Sequence, residues 1–278
     1  MPLRRPELPA HHARPEAMSA LPWPAEDLWE RLEPQLPGLS VEVLAEVDST
    51  NTRLLERARQ GDTAPCLLVA ERQSAGRGRQ GRAWQSAPGA SLTFSLSLPM
   101  SPQRWGGLSL AVGVALAEAL HPSLRIKWPN DLWTLDANGG PAGKLGGILI
   151  ETQGHAGPSR HVVVGVGLNI DAPPALPDAR HPVAWLRQLD PAATAAGTLT
   201  AAATALVGAL KLFELRGFAA FARRFEGRDL LRERLVSTTR PDLPEGRAQG
   251  VDEDGALLLR DARGLHRLDS GEVSVRPC

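Results

Sequence analysis

The chain has 278 residues, 42% hydrophobic and 22% charged, with no net charge. That length buries a sizeable core and favours two domains over one, and the balanced charge supplies no whole-chain field for nucleic acid or an anionic membrane. No apolar run approaches the roughly 20 residues of a membrane helix, no secretion signal opens the chain, and Cys66 and Cys278 show neither zinc nor disulfide-framework spacing, so a cytoplasmic setting is expected.

Residues 1–20 are rich in Pro and Arg and poor in apolar side chains, which predicts disorder, and Met18 is an alternative start. Residues 25–33 predict a short helix, so 1–40 reads as a largely disordered tail with one helix. VEVLAEVD (41–48) alternates as a strand, and Ser49 or Thr50 then caps a helix over 51–60. CLLVAE (66–71) reads as a buried strand and 72–90 as a Gly/Arg/Ser-rich loop. From 91 to 98, Leu92, Phe94, Leu96 and Leu98 alternate with Ser91, Thr93, Ser95 and Ser97 as a strand. A helix follows over 108–119, then strands at 124–127, 146–152 and 161–168, then amphipathic helices at 198–215 and 218–226. Past 230 short strands alternate with DEDG, DARG and DSG turns, as in a small antiparallel barrel. The expected division is therefore a tail (1–40), a main domain (41–229) and a small C-terminal domain (230–278).

Only three of the 31 basic residues are lysines, Lys127, Lys144 and Lys211; the other 28 are arginines. A chain that uses arginine for generic charge marks its lysines as candidates for a compact ammonium in a tight site. In 71–84, Arg72, Arg77, Arg79 and Arg82 sit among Gly76, Gly78 and Gly81, a pattern that fits an anion site and equally a solvated basic loop or an RG-type nucleic-acid contact. With so little apolar surface the loop is expected to stay mobile until an anion orders it. KWPNDLW (127–133) suits Mg²⁺ and nucleotide phosphates through Asn130 and Asp131, or is a plain turn. GKLGGILIE (143–151) places Lys144 just before a buried strand and is not a P-loop, because position 145 is Leu. VVVGVGLNI (162–170) is a glycine-opened strand ending in Asn169 and is not the dinucleotide fingerprint. Ser49, Thr50 and Asn51 read first as a helix N-cap and second as polar contacts for a neutral group such as a ureido ring. The seven histidines show no ligand spacing, and no Ser/His/Asp or Cys/His arrangement stands out.

Taken in order, DSTN (48–51), QSAGRGRQGRAW (73–84), KWPNDL (127–132), GKLGGILIE (143–151) and GVGLNI (165–170) resemble the biotin–protein ligase family, and 255–277 resembles its small C-terminal domain. The resemblance implies an α+β fold, a class II synthetase-like mixed sheet with helices packed on one face plus an SH3-like C-terminal barrel. It implies that biotin and ATP with Mg²⁺ form biotinyl-AMP, and that biotin passes to a lysine of the biotin carboxyl carrier domain of acetyl-CoA carboxylase or a related carboxylase. Ser49, Thr50, Asn51 and Gln73 would bind the biotin head. Arg77, Gly78 and Arg79 would close over biotin and the adenylate, and Lys144 would meet the biotin carboxylate and the α-phosphate. Lys144, Arg79 and Arg77 would thus be catalytic. Lys127, Asn130, Asp131 and Asn169 would serve ATP, with Asp131 and Asn130 at the metal, and Trp84 would wall the adenylate. Relatives that double as repressors carry an N-terminal DNA-binding domain. About 40 residues precede the match here, so a monofunctional enzyme without specific DNA or membrane binding is expected, and a homodimer is compatible. The competing readings are a lipoate–protein ligase and, from another class, a ligand-sensing DNA-binding regulator.

Overall fold

The computed structural model describes residues 21–154, 159–173, 181–269 and 275–277. The expectations for the 1–20 tail, the Met18 start and Cys278 lie outside the described residues.

Helix α1 (Ala25–Leu32) leads into β1 (Ser40–Val47), α2 (Thr50–Arg59), β2 (Cys66–Gln73), β3 (Ser91–Met100), α3 (Leu108–Leu120), β4 (Arg125–Lys127), β5 (Asp131–Leu135), β6 (Pro141–Gln153) and β7 (Arg160–Asn169). Then come α4 (Ala195–Arg216), α5 (Ala222–Glu226) and the strands β8 (Leu235–Thr238), β9 (Glu245–Val251), β10 (Leu257–Asp261), β11 (Gly264–Leu268) and β12 (Val275–Pro277). The first seven strands form one sheet in the order β1-β2-β3-β7-β6-β5-β4, parallel between β1 and β2 and antiparallel elsewhere. The remaining five form the antiparallel C-terminal sheet, in the order β11-β10-β9-β8-β12.

The period-two pattern decides what each face of the large sheet meets. Leu67 and Val69 of β2, Phe94, Leu96 and Leu98 of β3, and Val162, Val164 and Val166 of β7 point into one core shared with α1, α3, α4 and α5. The opposite face carries Cys66, Leu68 and Val163, and Leu54 and Leu55 of α2 pack there in a separate cluster. The expectation of helices on one face alone thus fails for α2. Its apolar stripe is short, and its N-terminal turn is polar and buried, because it closes on the hydroxyl side of β3.

Two further expectations change. Residues 21–39 are not a loose tail: Leu28, Leu32, Leu36 and Leu39 enter the main core, and the Leu21 amide and the Trp23 indole N–H both donate to the buried Glu71 carboxylate, at 2.8 and 3.1 Å. At 22 residues, with a mean hydropathy of 1.5 over its most apolar window, α4 is long and apolar enough to cross a bilayer, contrary to the sequence reading. It packs along α3 and sends Leu199, Leu206, Leu210 and Phe213 into the core, which accounts for its apolarity. The 218–226 stretch divides into a 3-10 turn at Phe218–Ala220 and the short α5.

The C-terminal sheet is tied to the body. The fully buried Trp128 donates its indole N–H to the Gly255 carbonyl at 3.0 Å, and Arg104 pairs with Glu253 and Asp254 at the rim.

Candidate active site

Cross-strand register builds the floor of the site. Thr93, Gly167, Gly147, Asp131 and Lys127 form one transverse row across β3, β7, β6, β5 and β4. Direct partners in a sheet share a face. Two side chains are therefore missing from the middle of the row, which leaves a trough. A Cβ on Gly167 would lie 2.5 Å from the Trp84 ring, and one on Gly165 would lie 2.1 Å from Asn51 Oδ1. The glycines of GVGLNI are thus spaces that Trp84 and Asn51 fill.

At one end of the trough lies the N-terminus of α2. Ser49 has extended backbone and its hydroxyl accepts from the Thr52 amide, so the capping expectation is met. The Thr50 amide donates to Gln73 Oε1 at 2.8 Å, and Ser95 Oγ lies 2.7 Å from Thr50 Oγ1 and 2.6 Å from Asn51 Oδ1. Asn51 Nδ2 donates to the Leu149 carbonyl and to Glu151 Oε2, at 3.2 and 3.0 Å. Ser49, Thr50 and Asn51 are each 3% exposed, so the network is pre-set and shielded from water.

At the other end, Lys144 Nζ lies 2.6 Å from Asp131 Oδ1, above the bare backbone of Gly147. Lys144 is inside β6, not ahead of it, and it is braced by a parallel bridge to Val183. Asn130 Nδ2 donates to the Ile148 carbonyl at 2.7 Å, and its Oδ1 accepts from Arg79 at 3.4 Å. Burial lowers the Arg79 guanidinium pKa, with Asp131 opposing the shift. Lys127 is 4% exposed, and burial brings its ammonium down to about 8 against the pull of Asp131.

Between the ends the basic loop folds back over the trough. Arg77 and Ala83 make an antiparallel bridge, the Gly78 amide donates to Arg82 at 2.7 Å and the Trp84 amide to Gly76 at 2.8 Å. A 3-10 turn at Arg79–Gly81 forms the tip, with Gln80 at φ 55°. The loop is therefore a hairpin, with Arg77 paired to Glu151 at 2.8 Å. The Trp84 indole nitrogen is buried and has no hydrogen-bond partner.

The cleft so formed is lined by Ser49, Thr50, Asn51, Gln73, Arg77, Gly78, Arg79, Trp84, Asn130, Asp131 and Lys144, all of which sequence reasoning had named. Lys127 lines an adjoining cavity with Arg79 and Asp131. Asn169 lines neither; its Nδ2 donates to the Ala184 carbonyl and braces the segment beside Lys144. Sequence reasoning missed Ser95, Glu151, His181 and Arg276. Ser95 was visible as the polar beat of β3, and Glu151 as the last letter of GKLGGILIE. His181 and Arg276 carry no local motif and reach the Lys127 cavity only through tertiary packing. Burial and the neighbouring cations Lys127, Lys144 and Arg276 hold the His181 imidazole down to about 4.

The cleft thus has a buried hydrogen-bonding network at one end and converging cations at the other, an arrangement compatible with the class of enzymes that hold a polar-headed acid beside a second anion. Residues 43–169 match the model of the biotin/lipoate A/B protein ligase family, and residues 237–276 match the biotin protein ligase C-terminal domain. The bifunctional ligase/repressor BirA of Salmonella typhimurium is 36% identical over 259 residues, which span 89% of this chain and 78% of that protein. The biotin–[acetyl-CoA-carboxylase] ligase of Paracoccus denitrificans is 33% identical over 248 residues, 83% of this chain and 98% of its own. Among solved structures, biotin protein ligase from Aquifex aeolicus in complex with biotin and ATP superposes with a TM-score of 0.71 at 27% identity, over 86% of this chain and 99% of that one. The chain belongs to the biotin–protein ligase family.

Proposed function

We propose that this protein is an ATP-dependent biotin–protein ligase that makes biotinyl-AMP and transfers biotin to a lysine of a biotin carboxyl carrier domain. The observation that carries the reading is the two-ended cleft. The Ser49–Thr50–Asn51–Gln73 network suits a ureido ring, and the Lys144–Asp131 pair with Arg79 suits a carboxylate beside a phosphate.

The mechanism follows from charge. A biotin carboxylate is ionised at pH 7, so the first step needs no general base. Its oxygen attacks the α-phosphorus of ATP, and the bond to pyrophosphate breaks. The barrier is the approach of two anions, so the protein's task is to shield them and to meet charge growing on the phosphoryl oxygens. Lys144 delivers a compact ammonium over Gly147, and Arg79 arrives from the hairpin tip. In the second step the carrier amine attacks the acyl carbon of the mixed anhydride and AMP leaves. The hairpin and Trp84 exclude water from that anhydride meanwhile.

Asp131 is the one carboxylate among the residues that line the cleft, which fits a Mg²⁺ held mainly by ATP phosphates with a single protein oxygen. Asn130 and Asp131 both have protein partners, in Arg79 and β6 and in Lys144, and Asp131 is the one of the two that would bring negative charge to the metal. When bound, Mg²⁺ neutralises phosphate charge during the displacement. Lys127 would add a buried cation to the same phosphates.

The test is biotin-dependent ATP–pyrophosphate exchange followed by labelling of a carrier domain, with lipoate as the rival acid. Exchange with biotin alone and modification of one carrier lysine are expected. A folded sample that does neither would falsify the reading.

A further inference from the structure

The geometry points to a division of labour between Arg77 and Arg79, in which Glu151 and Arg77 form a latch that positions the hairpin over the biotin end of the cleft. This rests on the ligase reading for which end takes biotin. Arg77 is then a positioning residue and not, as sequence reasoning expected, a group acting on the phosphoryl transfer.

One carboxylate serves two partners. Glu151 Oε2 accepts from Asn51 Nδ2 at 3.0 Å, and Glu151 Oε1 accepts from the Arg77 guanidinium at 2.8 Å. The other arm of Arg77 donates to Thr52 Oγ1 at 3.2 Å, on the first turn of α2. Arg77 therefore bridges α2 and β6, and its charge is met by Glu151. Asn51 is also fixed by Ser95 and the Leu149 carbonyl, so the oxygen it holds on Glu151 has a defined place.

Arg79 goes the other way. It reaches Asn130, next to Asp131 and Lys144. Glu151 lies four residues beyond Gly147 on β6, about 13 Å at roughly 3.3 Å per residue. Two arginines two positions apart on one hairpin thus address opposite ends of the cleft.

The pair is partly exposed, 46% for the Arg77 side chain and 23% for Glu151, and such pairs in isolation contribute little to stability. Here it does something more specific. Between Glu71 and Trp84 the apolar side chains are Ala75 and Ala83, so the hairpin meets the sheet through polar contacts such as this one and through the Trp84 ring over Gly167. Ordering a glycine-rich segment costs entropy, and the latch offsets part of that cost.

The experiment uses the full chain with Glu151→Gln, Arg77→Gln and the double variant. Glu151→Gln keeps an acceptor for Asn51 and removes the charge. Amide exchange of Gly78 and Trp84 is measured in the free protein, and kcat and KM for biotin in pyrophosphate exchange. Each single variant is expected to speed amide exchange and to raise KM for biotin by about tenfold, with a smaller fall in kcat. The double variant should be no worse than the worse single one, as for two ends of one contact. Unchanged amide exchange or additive effects would overturn the latch. So would a hundredfold loss of kcat at constant KM in Arg77→Gln, which would put that guanidinium on the phosphate. If Glu151→Gln does not fold, Arg77→Gln alone decides through the same two readouts. Should the parent lack ligase activity, the amide-exchange arm still tests the latch, and only the assignment of the biotin end falls.

Discussion

The two faces of β3 are equally dry and chemically opposite. Leu96 and Phe94 are fully buried among the helices, while Ser95 is fully buried and Thr93 2% exposed under α2 and the hairpin. Burial therefore does not separate the core from the site. On the helix side, contacts are non-directional and gain from close packing. On the α2 side the buried hydroxyls of Thr93 and Ser95 each have a stated partner, and directional bonds fix where donors and acceptors stand. One face holds the protein together; the other holds a hydrogen-bonded arrangement in place.

The contrast is breakable. Leu96→Ala should cost the most, about 2–5 kcal/mol of stability from the lost transfer energy and the cavity, read as a lower denaturation midpoint, while KM for biotin in the folded protein stays put. Lys144→Arg should do the reverse. The melting temperature should hold, but a planar fork does not fit where one ammonium sits over Gly147 beside Asp131. Loss of such a donor costs about 10²–10³ in rate, and pyrophosphate exchange within a few-fold of the parent would refute it. Ser95→Ala is the finer probe, one position from Leu96. A stability loss of about 1 kcal/mol is expected from the missing hydroxyl, together with about tenfold weaker biotin binding by calorimetry as Thr50 and Asn51 lose their common partner. Equal effects of Leu96→Ala and Ser95→Ala on both stability and binding would erase the distinction.

The smallest effect concerns a buried polar atom that belongs to neither scheme. Asp229 Oδ2 is buried without a hydrogen bond, and burial pushes that carboxyl up from 3.8 to about 6. A raised folded-state value means that the folded protein holds the proton more tightly. The associated stability is complete below about pH 4 and is lost as pH rises through 6. Asp229→Asn should therefore melt higher than the parent at pH 8, with the gap closing towards pH 4. A constant gap across that range would show that another group titrates.

Much of this was legible in the sequence where local chemistry is decisive. The SLTFSLSL alternation yields β3 with both faces assigned, and DSTN yields the α2 cap. The lysine bias pointed to Lys127 and Lys144, both of which lie beside Asp131 at the phosphate end proposed above. What local chemistry does not encode was misplaced. The side of the sheet on which α2 packs depends on strand order. Leu28 and Leu32 look like the face of an isolated short helix until α4 and β1 are in place to cover them. The hairpin's polar composition gives no hint of its Arg77–Ala83 bridge or of the pairing of Arg77 with Glu151, 74 positions away in sequence. Asn169 ends the right strand but turns its amide to the 181–185 segment, a contact that no spacing rule predicts.

The Trp128 indole has a bearing on how this chain can be taken apart. It sits inside the KWPND motif, and its N–H is satisfied by a carbonyl in the turn between β9 and β10. A cut near residue 230 would follow the apparent boundary between large and small sheets, yet it would strip cover from the largest fully buried side chain of the body. It would also leave a polar atom unmatched, one residue from the buried Lys127. The smaller piece, which also brings Arg276 to the cavity lined by Lys127, is therefore better regarded as part of the body than as an appendage. A fragment ending at 230 is a poor starting point for grafting, for soluble expression, or for asking what the larger sheet does alone.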